Sequence, residues 1–213
     1  MIFDDVKKIL VLAPHPDDAE FGLGGTLARL LELKKEVHVA VFSLCEKSTP
    51  EGFEIGDIER EMYRSMETLG IPKERIHVLD FEVRDFPSKR QEILEELVAL
   101  RGQLKPDLVF LPSSSDIHQD HHTIHIEGIR AFKHSSLFGY EMPWNNFGFT
   151  SFVYVKLNPE HLDMKVKCLG CYETQKHRSY SSWEFVSSLA RLRGGQIQEE
   201  FAESFELIRM IIR

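Results

Sequence analysis

The sequence has little of what marks secreted, membrane-spanning or nucleic-acid-binding proteins. Among its 213 residues there are only three cysteines, too few for a disulfide framework and in keeping with a reducing compartment. No apolar run approaches the roughly 18 residues that a membrane span requires, and Asp4 and Asp5 stand where a signal peptide would carry positive charge. The formal net charge of −8 argues against nucleic acid as a partner. We therefore expect a cytoplasmic protein with no membrane span.

Length and composition are those of an ordinary globular protein. Hydrophobic residues make up 42% of the chain and charged residues 28%, close to the average for soluble domains. A chain of this length can bury well over half of the surface that its unfolded form exposes. No internal repeat or low-complexity linker divides the sequence. We expect one domain over residues 1–213, and the sequence leaves open whether it forms a homo-oligomer.

Strand-like and helix-like segments alternate in the first half of the chain. Short apolar runs predict buried strands at Ile9–Ala13, Val37–Phe42, Ile76–Asp80 and Asp107–Leu111. Helical patterns lie between them at Thr26–Lys35, Ile58–Leu69 and from Ser88 to Leu104. The pattern weakens later, with a strand at Phe152–Val155, helices at Glu160–Tyr172 and Trp183–Arg193, and an ambiguous segment at Phe205–Ile212. The alternation predicts an α/β fold, a Rossmann-like three-layer sandwich with a mostly parallel central sheet.

Two segments concentrate the side chains that bind metal ions. Pro14–Glu20 follows the first predicted strand and has the sequence Pro-His-Pro-Asp-Asp-Ala-Glu, and His118–His122 follows the fourth strand with the sequence His-Gln-Asp-His-His. In a parallel sheet both segments leave the carboxyl ends of strands, where ligand sites form. Imidazole and carboxylate together suit zinc or a similar divalent cation. The sequence therefore predicts a metal site at this edge of the sheet.

Spacing alone leaves the choice among the later histidines open. His121 and His125 lie four residues apart on a predicted helix, so they share a face and could form a two-histidine zinc pair. His122 is a further candidate for the same reason of proximity.

The order of the two segments resembles the signature of a known family. The first block, with Gly22, Gly24 and Gly25 at the start of a helix, and the later His-Gln-Asp-His block resemble the LmbE-like or PIG-L family of zinc-dependent N-acetylglucosaminyl de-N-acetylases. The resemblance extends to Tyr172–Gln175, Arg191–Gly194 and Phe201–Phe205. It implies an LmbE-like fold and a hydrolase that removes acetyl from the amide nitrogen of an N-acetylglucosamine-type sugar or conjugate. The alternatives are a zinc amidase acting on a non-sugar conjugate and a metal-dependent binding protein without turnover.

The resemblance implies a set of metal ligands. His15, Asp18 and His121 would hold Zn²⁺, or another divalent metal such as Fe²⁺. Three protein ligands leave a fourth position for water, as in catalytic zinc sites.

The resemblance also implies catalytic roles. Asp17 would be the general base, taking a proton from water and returning it to the leaving amine. His118 would be the electrophilic or general-acid group, with Asp120 orienting it. A protonated His118 would stabilise the developing oxyanion, and the charge of Asp120 would favour that protonated form.

The substrate-binding residues are harder to assign. The family usually has an arginine three residues before the glutamate that matches Glu61, and here that position is Ile58. Arg60 or Arg64 could replace the missing arginine, or both could be solvated helix charges. Three further residues could line a sugar site or belong to the core: Tyr172, Arg178 and Tyr180.

Overall fold

The computed structural model describes residues 5–176 and 178–212. Within these ranges seven strands form one sheet: β1 (Lys8–Ala13), β2 (Glu36–Val41), β3 (Ile76–Val78), β4 (Leu108–Pro112), β5 (Ser136–Tyr140), β6 (Val153–Leu157) and β7 (Phe201–Arg209). The α-helices of these ranges are α1 (Asp18–Glu32), α2 (Asp57–Leu69), α3 (Arg90–Leu104), α4 (Gln119–Ala131), α5 (Pro159–Leu169) and α6 (Trp183–Gly195). None of these helices is long and apolar enough to cross a bilayer.

The strand order places a crevice at the middle of the sheet. The order is β3-β2-β1-β4-β5-β7-β6; the first five strands in this order run parallel, and β7 is antiparallel to both β5 and β6. From β1 the chain proceeds to β2 on one side, and β4 pairs with β1 on the other. Ligands of open α/β sheets bind at such a switch point, beyond the carboxyl ends of the strands. The predicted Rossmann-like α/β fold with a mostly parallel sheet is confirmed.

Helices cover both faces of the sheet. Along β1, Ile9 and Val11 belong to the apolar core that includes residues of α1, α2 and α5, whereas Leu10 and Leu12 belong to the core formed with α3 and α4. None of these four residues has exposed surface. Because successive side chains point to opposite faces of a strand, a strand covered on both faces must be apolar throughout. This is the physical reason that short apolar runs marked the central strands.

The first helix begins earlier than the sequence predicted. A helix was expected from Thr26, but α1 starts at Asp18 and contains a kink at Leu23, whose φ is −153°. The part after the kink is capped by a residue far away in the sequence. The carboxylate of Glu203 on β7 accepts hydrogen bonds from the backbone N–H groups of Gly25 (3.1 Å) and Thr26 (2.6 Å). Because α1 starts this early, Asp18 lies in its first turn, close to the carboxyl end of β1.

Candidate active site

A cleft of about 450 Å³ lies where the chain leaves β1 and β4. Both sequence blocks contribute to its wall, although they are separated by 106 residues between His15 and His121. The side chains from these blocks that line the cleft are His15, Asp17, Asp18, His118 and His121.

Three potential ligand atoms form a nearly equilateral triangle in this cleft. Nδ1 of His15, Nε2 of His121 and Oδ2 of Asp18 lie 3.2 Å from one another along each of the three sides. In a tetrahedral zinc site with bonds of about 2.0–2.1 Å, neighbouring ligand atoms stand about 3.3 Å apart. The triangle therefore fits three corners of such a site and leaves the fourth corner open. His118 is close by, since one ring nitrogen of each of the three histidines lies within 4.8 Å of the others.

The geometry separates His121 from the other two histidines of α4. Nδ1 of His125 is 2.8 Å from the carbonyl oxygen of Pro112, so this buried ring is tied to the end of β4. His122 is exposed and does not line the cleft. Of the three, His121 alone faces His15 and Asp18.

A buried carboxylate holds the far nitrogen of each histidine in the triangle. Oδ2 of Asp120 is 3.1 Å from Nε2 of His15, and Oδ2 of Asp116 is 2.7 Å from Nδ1 of His121. Such carboxylate–histidine pairs fix the ring tautomer and orientation at metal sites, leaving the other nitrogen free to coordinate. The sequence analysis gave Asp116 no role. The sequence signal that could have pointed to Asp116 was its position, four residues after β4 and two before His118.

The structure corrects the prediction that the Asp120 side chain orients His118. That carboxylate contacts His15 and accepts the backbone N–H of Arg84 (2.6 Å) instead. The link to His118 runs through the backbone N–H of Asp120, which donates to Nδ1 of His118 (3.2 Å) at the start of α4. Burial, and then the nearby charges of His121 and His15, lower the pKa of His118. Because Nδ1 accepts this hydrogen bond, the neutral form of the ring carries its proton on Nε2, and the lowered pKa favours that form over the cation that we had expected.

The surroundings of the triangle favour a bound cation. Burial alone would lower the pKa of His121, but the carboxylates of Asp18 and Asp116 outweigh it and raise that pKa to about 10. The pKa of His15 is also raised, because Asp18 and Asp120 outweigh burial there. These histidines bind protons tightly because the carboxylates create a negative potential, and the same potential attracts a metal cation.

Asp17 has the burial and protonation behaviour of a proton-transfer group. The residue is 6% exposed, and burial followed by the charge of Asp18 raises its pKa to about 6. Although it occupies the N-cap position of α1, its side chain makes no capping hydrogen bond. A carboxyl group with a pKa near neutrality is suited to accept and return a proton.

Comparison with known proteins gives the family. The model of the PIG-L family, described as GlcNAc-PI de-N-acetylase, matches residues 10–132. The chain belongs to the PIG-L family. The predicted family is thus confirmed, and its description names a de-N-acetylase, an enzyme that hydrolyses a carbon–nitrogen bond.

Individual relatives share part of their sequence or their fold with this PIG-L chain. A diacetylchitobiose deacetylase of Thermococcus kodakarensis is 34% identical over 144 residues, which is 63% of this chain but only 52% of that protein, so the match spans about half of the relative. The structure of the N,N'-diacetylchitobiose deacetylase of Pyrococcus horikoshii superposes with a TM-score of 0.82 at 22% identity, covering 97% of this chain and 85% of that one. The 4-carboxy-2-hydroxymuconate hydratase GalB of Pseudomonas putida gives a TM-score of 0.78 at 19% identity, over 97% and 98% of the two chains. The fold thus hosts more than one reaction.

Three predicted substrate-binding residues do not line the cleft of this family member. Arg60 pairs with Asp57 at the exposed start of α2, and Arg64 donates to a backbone carbonyl just after α5. Tyr172 is 1% exposed, and its hydroxyl donates to the carbonyl oxygen of Pro16 (2.7 Å). This hydrogen bond stabilises the loop between β1 and α1, and it leaves the hydroxyl of Tyr172 unavailable to a substrate.

The other two predicted residues, Arg178 and Tyr180, do line the cleft. Tyr180 stacks on Trp144, with ring centroids 3.9 Å apart, so two aromatic rings form part of the wall. Ile58 also lines the cleft, at the position where the family usually has an arginine. Sequence reasoning missed Trp144 and Arg84, which lie in irregular segments without any periodic pattern.

Proposed function

We propose that the protein is a zinc-dependent deacetylase that removes the acetyl group from the amide nitrogen of an N-acetylglucosamine-type sugar or sugar conjugate. The observation that carries this proposal is the triangle of ligand atoms from His15, Asp18 and His121, with the ionisable carboxyl group of Asp17 beside it. Two imidazoles and one carboxylate suit Zn²⁺ and also accept Fe²⁺. Membership of the PIG-L family supports the same reaction.

The proposed reaction divides the work between Asp17 and His118. A bound divalent ion would supply Lewis acidity, which polarises the acetyl carbonyl and acidifies water. Asp17 takes the proton of the attacking water as the new carbon–oxygen bond forms, and delivers it to the nitrogen as the carbon–nitrogen bond breaks. The Nε2–H of neutral His118 donates a hydrogen bond to the carbonyl oxygen while that oxygen carries negative charge. The products are acetate and the free amine.

The wall of the cleft supports a sugar as the substrate. Tyr180 and Trp144 offer aromatic surface beside the catalytic groups, on which the apolar face of a sugar ring can pack. The cleft volume of about 450 Å³ falls within the range of roughly 300–1,000 Å³ typical of small-molecule sites. The raised pKa of Asp17, a buried carboxyl group in the cleft, favours an enzyme over a binding protein, because perturbed pKa values cluster at catalytic sites.

Asp17→Asn tests the proposed chemistry separately from metal binding. The substitution keeps the shape of the side chain and removes the proton acceptor. We expect the zinc content to be unchanged and the turnover of N-acetylglucosamine conjugates to fall by about 10²-fold or more. Asp57→Asn, at the exposed start of α2, is the matched control and should keep normal turnover. Near-normal acetate release by the Asp17→Asn variant would contradict the assignment of the general base.

The cytoplasmic location and the small-molecule partner are part of the same proposal. Cys45, Cys168 and Cys171 are free thiols in the structure, as is usual in a reducing compartment. Fractionation of cells that express the tagged protein would test the location.

A further inference from the structure

Arginine side chains line the cleft at two positions, and they differ in what they already contact. Arg178 lies over the ring of Tyr180, 5.6 Å from its centroid, and its charge partly offsets the rise that burial and Asp18 cause in the pKa of Asp17. Arg84 is exposed, and its guanidinium donates only to the hydroxyl of Ser48 (3.3 Å) among the residues that the structure describes. The charge of Arg84 is thus available to a ligand in the cleft.

The backbone of Arg84 is fixed against the candidate metal group. Its N–H donates to the carboxylate of Asp120 (2.6 Å), and its carbonyl oxygen accepts a hydrogen bond from the side chain of Gln119 at the start of α4. Its φ of 72° lies in the left-handed region, which residues other than glycine rarely adopt. These contacts fix the backbone of Arg84 beside the cleft, although its guanidinium can take several positions.

The charge balance of the cleft wall favours an anion near Arg84. The ionisable groups of the wall, besides its histidines, Cys45 and Tyr180, are the carboxylates of Asp17 and Asp18 and the guanidiniums of Arg84 and Arg178. The carboxylates of Asp116 and Asp120 lie behind the two ligand histidines, so a divalent cation and the two guanidiniums together would offset the four carboxylates. Arg84 and Arg178 are then the positive side chains that the wall itself presents to a ligand. The whole chain carries a net charge of −8 and repels anions at long range, so an anionic substrate needs a local cation of this kind.

From these observations we propose that Arg84 binds an anionic group, a phosphate or a carboxylate, carried by the N-acetylated sugar substrate. The proposal rests on the proposed deacetylase function and specifies its substrate class. A guanidinium presents paired N–H donors that match the two oxygens of a carboxylate or phosphate. The hydroxyl of Ser48, which also lines the cleft, adds a polar partner beside it.

Three N-acetylated probes test the proposal on the zinc-loaded protein. They are the neutral methyl glycoside of N-acetylglucosamine, N-acetylglucosamine 1-phosphate, and N-acetylmuramic acid, which carries a carboxylate. We expect the wild type to show a higher kcat/KM for one anionic probe than for the neutral one, and the better anionic arm identifies the group. Arg84→Met should raise KM for that probe by about 10- to 100-fold and change the neutral probe by less than about twofold.

Two further variants separate charge recognition from a structural effect. Arg84→Lys should retain part of the anionic preference, because it keeps the charge but not the paired donors. Arg60→Met is the matched control, since Arg60 is an exposed arginine outside the cleft, and it should behave as wild type. Equal losses on neutral and anionic probes in Arg84→Met, or a wild-type preference for the neutral probe, would overturn the proposal.

A binding measurement keeps this test separate from the test of the activity. If no probe releases acetate, the proposed function fails. Calorimetric titration with N-acetylglucosamine 1-phosphate and with N-acetylmuramic acid then decides the role of Arg84. Binding that is lost in Arg84→Met and kept in Arg60→Met supports the proposal, whereas equal binding by both variants, or no binding to the wild type, overturns it.

Discussion

Replacement of Asp116 by alanine is expected to weaken zinc binding about 10- to 100-fold. Asp116 is 3% exposed, and its Oδ2 lies 2.7 Å from Nδ1 of His121. Asp116 is the acceptor that holds the Nδ1–H tautomer of His121, in which Nε2 points at His15 and Asp18, and alanine removes it. The expected loss corresponds to about 1.4–2.8 kcal/mol of zinc-binding free energy.

Asp116→Asn is the graded control for this prediction. The amide oxygen can still accept from Nδ1 of His121, but the negative charge is lost, so we expect a smaller loss of affinity than in the alanine variant. Zinc affinity would be measured by competition with a chromophoric chelator, with the thermal unfolding of each metal-free variant recorded alongside. A folded Asp116→Ala variant that binds zinc as tightly as wild type would refute the reasoning.

Two other predictions concern the metal group. His121→Ala should abolish stoichiometric zinc binding, while His125→Ala, which removes the contact with Pro112, should retain it. Metal analysis after gel filtration measures both, and the reverse result would show that the wrong helix histidine was chosen. The pKa of His121 is raised to about 10 in the metal-free protein, so zinc must displace its proton. Zinc affinity should therefore fall as the pH falls, with proton release detectable by calorimetry in buffers of different ionisation enthalpy, and a pH-independent affinity would contradict this.

The central fold could be predicted because its signals are local. The run at Ile9–Ala13 is buried on both faces as β1, and Asp107–Leu111 corresponds to β4 with a shift of one residue. Once these strands are parallel neighbours, the two metal-binding blocks must meet at their carboxyl ends. The prediction of the cleft therefore needed only the order of the elements.

Other elements depend on contacts that the apolar pattern does not reveal. β5 was not predicted, because Ser136 and Gly139 interrupt its apolar run. The glycine is needed there, since a Cβ atom would lie 2.9 Å from Cα of Ser113. α3 was expected to begin after Ser88, but that hydroxyl bonds Asp85 within a short 3₁₀ turn, and the α-helix begins at Arg90. The close approach at Gly139 is a tertiary contact, whereas the start of α3 is set by a local turn that competes with the helix.

The same limit applied to the candidate site. Which carboxylate supports which histidine is not encoded in spacing, since Asp120 is two residues from His118 yet its side chain bonds His15. Arg84 reaches the cleft from the segment after β3, and Trp144 from the segment after β5, so neither belonged to a recognisable motif.

The central claim is that zinc held by His15, Asp18 and His121 is needed to hydrolyse N-acetyl amides of sugars. The most direct test measures acetate release from a panel of N-acetylglucosamine derivatives by the protein as purified, after chelation, and after zinc is added back. The account predicts release that is lost on chelation and restored by zinc. Acetate release that persists in the metal-free protein, or robust phosphatase activity with no amide cleavage across the panel, would contradict it.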